Sequence, residues 1–232
     1  MRTLVIAPHL DDEALSTGAL ILARVKSIAQ VFVLVMHGRK YGYVEAFGKA
    51  LADEVMDFER AKAVLGYQHD RFVALEEGEP GRVGYCKHLH VIEQTLADFK
   101  PTEVVVPSPH DLNQDHRHLS DVCRIALRPA NLGSVTRILE ARAFDGQLRD
   151  ASYYVPFDQT DMDRILDAIA QYRREGRTGN HPRSPENIVA HRRIMGSRCG
   201  ARYAEGYDVR LIVETGSCGW SSPEAAGSSA PT

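Results

Sequence analysis

The chain is poor in cysteine, and the four it has, Cys86, Cys123, Cys199 and Cys218, stand far apart with no Cys-x-x-Cys pair. Neither a thiolate zinc site nor a disulfide framework is indicated, and a reducing cytoplasm fits this usage. No apolar run approaches the length of a membrane span. The amino terminus enters an apolar stretch within three residues, with no charged-then-apolar leader, so a soluble, unexported, cytoplasmic protein is expected. A strong charge of either sign is also missing. The net charge of -3 argues against a dedicated nucleic-acid binder. No internal repeat is visible, which excludes solenoids and arrays.

What is present is ordinary globular material: 232 residues, 44% apolar and 25% charged, enough to bury a core without covalent staples. Apolar β-branched runs at Leu4 to Ala7, Val31 to Met36, Arg71 to Leu75 and Glu103 to Ser108 alternate with helical spacing over 12–27, 50–66, 86–99 and 119–127. Strands whose apolar run is unbroken are covered on both faces, as in a parallel sheet. The expected fold is therefore α/β, a Rossmann-like, mostly parallel sheet of order 3-2-1-4-5 with helices on both faces. Beyond Pro129 the pattern adds strands at 135–144 and 152–155, helices at 161–172 and 186–200, and a last strand at 207–214. A single domain over residues 1–215 is expected. The Ser, Gly, Ala and Pro composition of 216–232 predicts a flexible tail.

Two polar clusters interrupt this frame. Pro8-His9-Leu10-Asp11-Asp12-Glu13 follows the first strand, and Pro109 to His118 follows the fourth. In an open sheet of this order, strands one and four are neighbours where the winding reverses, so both clusters face one crevice. The first turn has no glycine and carries three carboxylates, which would repel phosphate and attract a cation. His9 and Asp12, three apart at a helix entrance, together with His116 from the facing loop, offer two nitrogens and one carboxylate oxygen. That is the ligand set of a hydrolytic zinc ion that keeps a position open for water. Asp11 would then be available as general base. Taken singly, each residue reads better as a solvated group or a helix cap, with Glu13 complementing the helix dipole. The coincidence of two clusters at one switch point tips the balance toward a metal, with Asp111 and Asp115 orienting an imidazole from behind.

The pairing of Pro8-His-Leu-Asp-Asp-Glu13 with Ser108-Pro-His-Asp-Leu-Asn-Gln-Asp-His116 resembles the metal-dependent deacetylase family named for PIG-L and LmbE. Further likeness lies in His181-Pro-Arg-Ser, Glu186-Asn-Ile and Ala204-Glu-Gly-Tyr207. The resemblance implies a hydrolase that removes acetyl groups from N-acetylated amino sugars or their conjugates. It implies His9, Asp12 and His116 as zinc ligands, with other divalent ions able to replace zinc, and Asp11 as general base. Two positions depart from the family pattern: Leu10 stands where a proline is usual, and Asn113 where an imidazole often pairs with the acid at Asp115. Asn113 can donate a hydrogen bond to an oxyanion but not a proton, so Asp11 is expected to return the proton to the amine, with His110 or His118 as alternatives. His118, Tyr41, Arg174 and Arg183 are candidate substrate contacts. The partner is a small N-acetylated sugar, and a homo-oligomer is left open. Two rivals are a phosphoacceptor receiver domain, which lacks its aspartate after Leu75, and a non-catalytic sugar-binding relative, which loss of a ligand would favour.

Overall fold

The structure, a computed structural model, describes residues 1–38, 51–76, 82–144, 150–172 and 177–214. One sheet is built from β1 (Arg2–Ala7), β2 (Gln30–Gly38), β3 (His69–Glu76), β4 (Glu103–Pro107), β5 (Arg137–Ala141), β6 (Tyr153–Phe157) and β7 (Tyr203–Ile212). Their order is β3-β2-β1-β4-β5-β7-β6. The first five strands pair in parallel, and β7 runs antiparallel between β5 and β6. The 3-2-1-4-5 expectation is met, and the extra carboxyl-terminal strands extend the β5 edge.

Side-chain alternation explains why the central strands read as unbroken apolar runs. Along β1, Val5 and Ala7 join one core, while Leu4 and Ile6 join the other. Along β2, Val31, Val33 and Val35 take the first side and Leu34 and Met36 the second. The first core is closed by α1 (Asp12–Lys26), α2 (Leu51–Leu65) and α5 (Gln159–Gln171), and the second by α3 (Arg82–Phe99) and α4 (Gln114–Ala126). Among the described residues, no helix is long and apolar enough to cross a membrane.

Several boundaries differ from the sequence expectation. Helix α4 begins at Gln114 rather than 119, because the Asn113 side chain caps it by accepting the Asp115 N–H at 2.8 Å. Asp115 and His116 therefore sit on the first helical turn and not on a loop. Strand β7 begins at Tyr203 rather than 207. Its early residues include Glu205, a buried charge that breaks the apolar pattern a core strand is expected to show. The predicted tail, 216–232, lies outside the described residues, as do Tyr41 and Arg174.

Helix α1, which carries Asp12, is tied to the far end of the chain by a buried polar network. Glu205 Oε2 accepts the Leu20 N–H at 3.0 Å and the Tyr207 hydroxyl at 2.6 Å. Arg192, on α6 (Pro185–Arg198), lies 2.7 Å from Glu205 Oε1 and donates to Leu15 O at 2.6 Å. Both charged residues are buried, and a buried pair is costly to break because one charge is left alone. Glu205→Ala is therefore expected to lower unfolding free energy by about 3–5 kcal/mol in denaturant titration.

Candidate functional site

Parallel pairing of β1 with β4, through Thr3↔Glu103, Leu4↔Val104 and Val5↔Val105, sets the carboxyl ends of the two strands side by side. The chain leaves β1 through Pro8 to Asp11 and enters α1 at Asp12. It leaves β4 through Ser108 to Asn113 and enters α4 at Gln114. His9 and Asp12 come from the first crossing and His116 from the second, although 107 residues separate the two imidazoles.

The three side chains converge. His9 Nδ1 lies 3.2 Å from His116 Nε2, and Asp12 Oδ2 lies 3.3 Å and 3.1 Å from these two nitrogens. Their ligand atoms all fall within 4.8 Å of one another, and among the described residues this is the group of three able to hold a metal ion. The far nitrogen of each ring is held by another carboxylate. Asp115 Oδ2 is 3.3 Å from His9 Nε2, and Asp111 Oδ2 is 2.9 Å from His116 Nδ1. Carboxylates behind metal-binding imidazoles fix the ring and leave the inner nitrogen to face the ion. Asp12 is itself fixed, since its Oδ2 accepts the His9 backbone N–H at 3.0 Å.

With no cation among them, these groups neutralise one another. Burial alone would push both imidazoles down. Hydrogen bonds to Asp115 and Asp12 instead raise His9 to about 9, and the charge of Asp12 with the Asp111 hydrogen bond raises His116 to about 10. Burial pushes Asp12 up, but the two imidazoles outweigh it and hold the carboxyl well below its usual range. The carboxylates thus favour positive charge at the place a divalent ion would take.

Asp11, the residue before α1, has φ 106°, in the left-handed region that non-glycine residues rarely enter. It makes no side-chain cap to the helix. Its backbone N–H donates instead to Glu13 Oε2 at 3.1 Å, and Glu13 Oε1 accepts the Tyr172 hydroxyl. Burial pushes the Glu13 carboxyl up, the Tyr172 hydroxyl draws it back and Asp11 adds to the rise, leaving it at about 8. Both Glu13 oxygens are thus engaged, and the side chain supports the turn at Asp11 from behind.

In front, Asp11 Oδ2 accepts Arg177 Nη2 at 2.8 Å, and Arg183 Nη1 stands 3.8 Å away. Arg183, named above as a candidate substrate contact, thus stands beside Asp11. Arg177 and Tyr172 were missed, and the only sequence signal for Arg177 was the basic composition of 173–185. His118 lies outside the triad: its Nε2 is 3.0 Å from His88 Nδ1, and its ring meets Tyr85 edge-on. A row of rings links the two, with His37 between His9 and His88 at centroid separations of 5.7 and 4.8 Å. The His110 N–H donates to Ser108 Oγ at 3.3 Å.

Residues 4–127 match the family described as PIG-L, GlcNAc-PI de-N-acetylase, a span of more than half the chain that includes both polar clusters. The chain belongs to the PIG-L family. Solved structures agree on the fold. The conserved protein TT1542 from Thermus thermophilus is similar at 22% identity with a TM-score of 0.76, over 94% of this chain and 99% of that one. The N,N'-diacetylchitobiose deacetylase from Pyrococcus horikoshii is similar at 18% identity with a TM-score of 0.70, over 90% and 84% of the two chains. GalB, the 4-carboxy-2-hydroxymuconate hydratase from Pseudomonas putida, is similar at 16% identity with a TM-score of 0.71, over 93% and 99%. At these identities the likeness is one of fold. No curated protein matches the sequence.

The raised imidazoles make a pH prediction. A group raised by folding contributes stability that is complete below its ordinary value, 6.5 here, and is lost as pH rises through about 9 to 10. Glu13, raised from 4.5 to about 8, acts in the same sense. Chelator-treated protein should therefore melt at falling temperatures between pH 7 and pH 10, and metal binding at pH 7 should release about two protons. A melting temperature that is flat or rising over that interval would contradict this geometry.

Proposed function

We propose that this PIG-L family chain is a metal-dependent de-N-acetylase that releases acetate from an N-acetylated amino sugar or its conjugate. The observation that carries the reading is the convergence of His9, Asp12 and His116, each imidazole backed by its own carboxylate, beside Asp11 at the carboxyl end of β1. The family description and the deacetylase among the solved structures support the reaction class.

The residues fit a zinc ion. Two imidazole nitrogens and one carboxylate oxygen already face a common point, and each ring nitrogen that must not bind metal is occupied elsewhere. When bound, a divalent ion would supply a Lewis acid for the acetamide carbonyl and an acidified water. The remaining work falls to the chain's own groups. Asp11, whose carboxylate is held by Arg177 beside the triad, is the group we assign to the proton of the attacking water. The same carboxyl returns that proton to the amide nitrogen as the C–N bond breaks, so the amine departs neutral and acetate follows.

Asn113 keeps its Oδ1 on the Asp115 N–H. Its Nδ2 is the group we assign to the developing oxyanion, a hydrogen bond worth up to about 3 kcal/mol. Asp115 is assigned to the His9 ring, which its Oδ2 meets at 3.3 Å, as an aid to catalysis. His118, held by His88, is assigned to the wall of the cleft. The receiver rival is set aside because the chain belongs to a different family, and no ligand is lost as a non-catalytic relative would require.

In acetate-release assays across N-acetylated amino sugars, Asp11→Asn is expected to lower kcat by about 10²–10⁴-fold, the range of general acid–base catalysis, with its metal retained. A near-normal rate for Asp11→Asn would remove that residue from the role.

A further inference from the structure

Helix α5 runs antiparallel to α1 and meets it at three levels. At one end Lys26 Nζ donates to Asp161 Oδ2 at 2.7 Å. Farther along, Gly18 faces Ile165 so closely that a Cβ on the glycine would stand 3.3 Å from the isoleucine Cγ1. At the other end Tyr172, the residue that closes α5, reaches Glu13 on the first turn of α1. The packing of α5 on α1 therefore decides where the Tyr172 hydroxyl stands.

That hydroxyl is buried and donates to Glu13 Oε1, while Glu13 Oε2 accepts the Asp11 N–H at 3.1 Å. A carboxylate held at one oxygen cannot turn without breaking the bond at the other. Tyr172 thus fixes the acceptor to which the Asp11 backbone is tied. The tie has work to do, because a φ of 106° is strained in a residue with a side chain and relaxes unless its surroundings hold it. Rotation about N–Cα also swings the Cβ atom. The hydrogen bond behind the turn therefore sets the direction in which the Asp11 carboxylate leaves it.

On the deacetylase reading above, we propose that Tyr172 is a positioning residue for Asp11, acting through Glu13. Helix α5, which supplies none of the triad side chains, then governs the proton-transfer group beside them. A reacting group displaced by about 1 Å can cost about 10²-fold in rate, so a hydroxyl that touches no reacting atom can still control turnover.

The test uses zinc-loaded full-length protein with N-acetylglucosamine and N,N'-diacetylchitobiose as probes. Tyr172→Phe should lower kcat by about tenfold or more, with KM and zinc content within about twofold of the wild type. Tyr67→Phe is the control. It removes from the same core a hydroxyl that has no hydrogen-bond partner among the described residues, and its kcat should match the wild type. In an Asp11→Asn background Tyr172→Phe should have little further effect, because the carboxylate it positions is gone.

An equal loss with and without the Asp11 carboxylate, a loss carried by KM, or the same loss in Tyr67→Phe would each overturn the proposal. Amide hydrogen exchange reads the link without turnover. Exchange at the Asp11 N–H should quicken by about tenfold in Tyr172→Phe and stay unchanged in Tyr67→Phe. That result upholds the link even if neither sugar releases acetate, an outcome that would defeat the deacetylase reading alone. Unchanged exchange in Tyr172→Phe overturns the link.

Discussion

The site depends on one pairing, the parallel contact of β1 with β4. Each strand ends in a polar cluster that has little chemical meaning by itself. Laid side by side, the two clusters bring His9 and Asp12 against His116 at distances of 3.1–3.3 Å, close enough that a carboxylate and two imidazoles converge on one place. Folding thus creates the ligand set and the demand for positive charge in one step. The buried Arg192–Glu205 pair serves the same end from a distance, since it fixes helix α1, whose first residue is Asp12.

Around that pairing lies a second layer that assigns work to individual atoms. Asp115 and Asp111 occupy the outer nitrogens of the two imidazoles, so only Nδ1 of His9 and Nε2 of His116 face inward. Asp11 is held from behind and in front. Glu13 and Tyr172 secure its left-handed backbone, while Arg177 orients its carboxylate. Left-handed conformations cost roughly 1–3 kcal/mol in a residue with a side chain, and such strain persists only where surrounding contacts require it. Here they place a carboxylate beside the cluster of His9, Asp12 and His116 without making it a member of that cluster.

Much of this was legible in the sequence, for physical reasons. Strands buried on both faces leave unbroken apolar runs, so the 3-2-1-4-5 order and the facing of the two clusters could be read from the pattern, and with them His9, Asp12 and His116. The start of α4 was placed too late because Asp115, His116 and Arg117 give no apolar periodicity. The Asn113 cap was the signal that would have corrected it. Contacts across 159 and 166 residues, Tyr172 on Glu13 and Arg177 on Asp11, left no local trace. A basic loop shows that arginines are available, but only the fold decides which of them turns inward. Glu205 hid the first residues of β7 for a related reason: a charge within a core strand reads as a break until its partner Arg192 is seen.

In the proposed reaction, a divalent cation held by His9, Asp12 and His116 makes this site a hydrolase. The most direct measurement is acetate release from an N-acetylated amino sugar by chelator-stripped protein as zinc is returned in steps. The account predicts no release at the outset, a rate that climbs until about one zinc per chain is bound, and no climb in His116→Ala. Stripped protein that releases acetate as fast as the reloaded enzyme would contradict it.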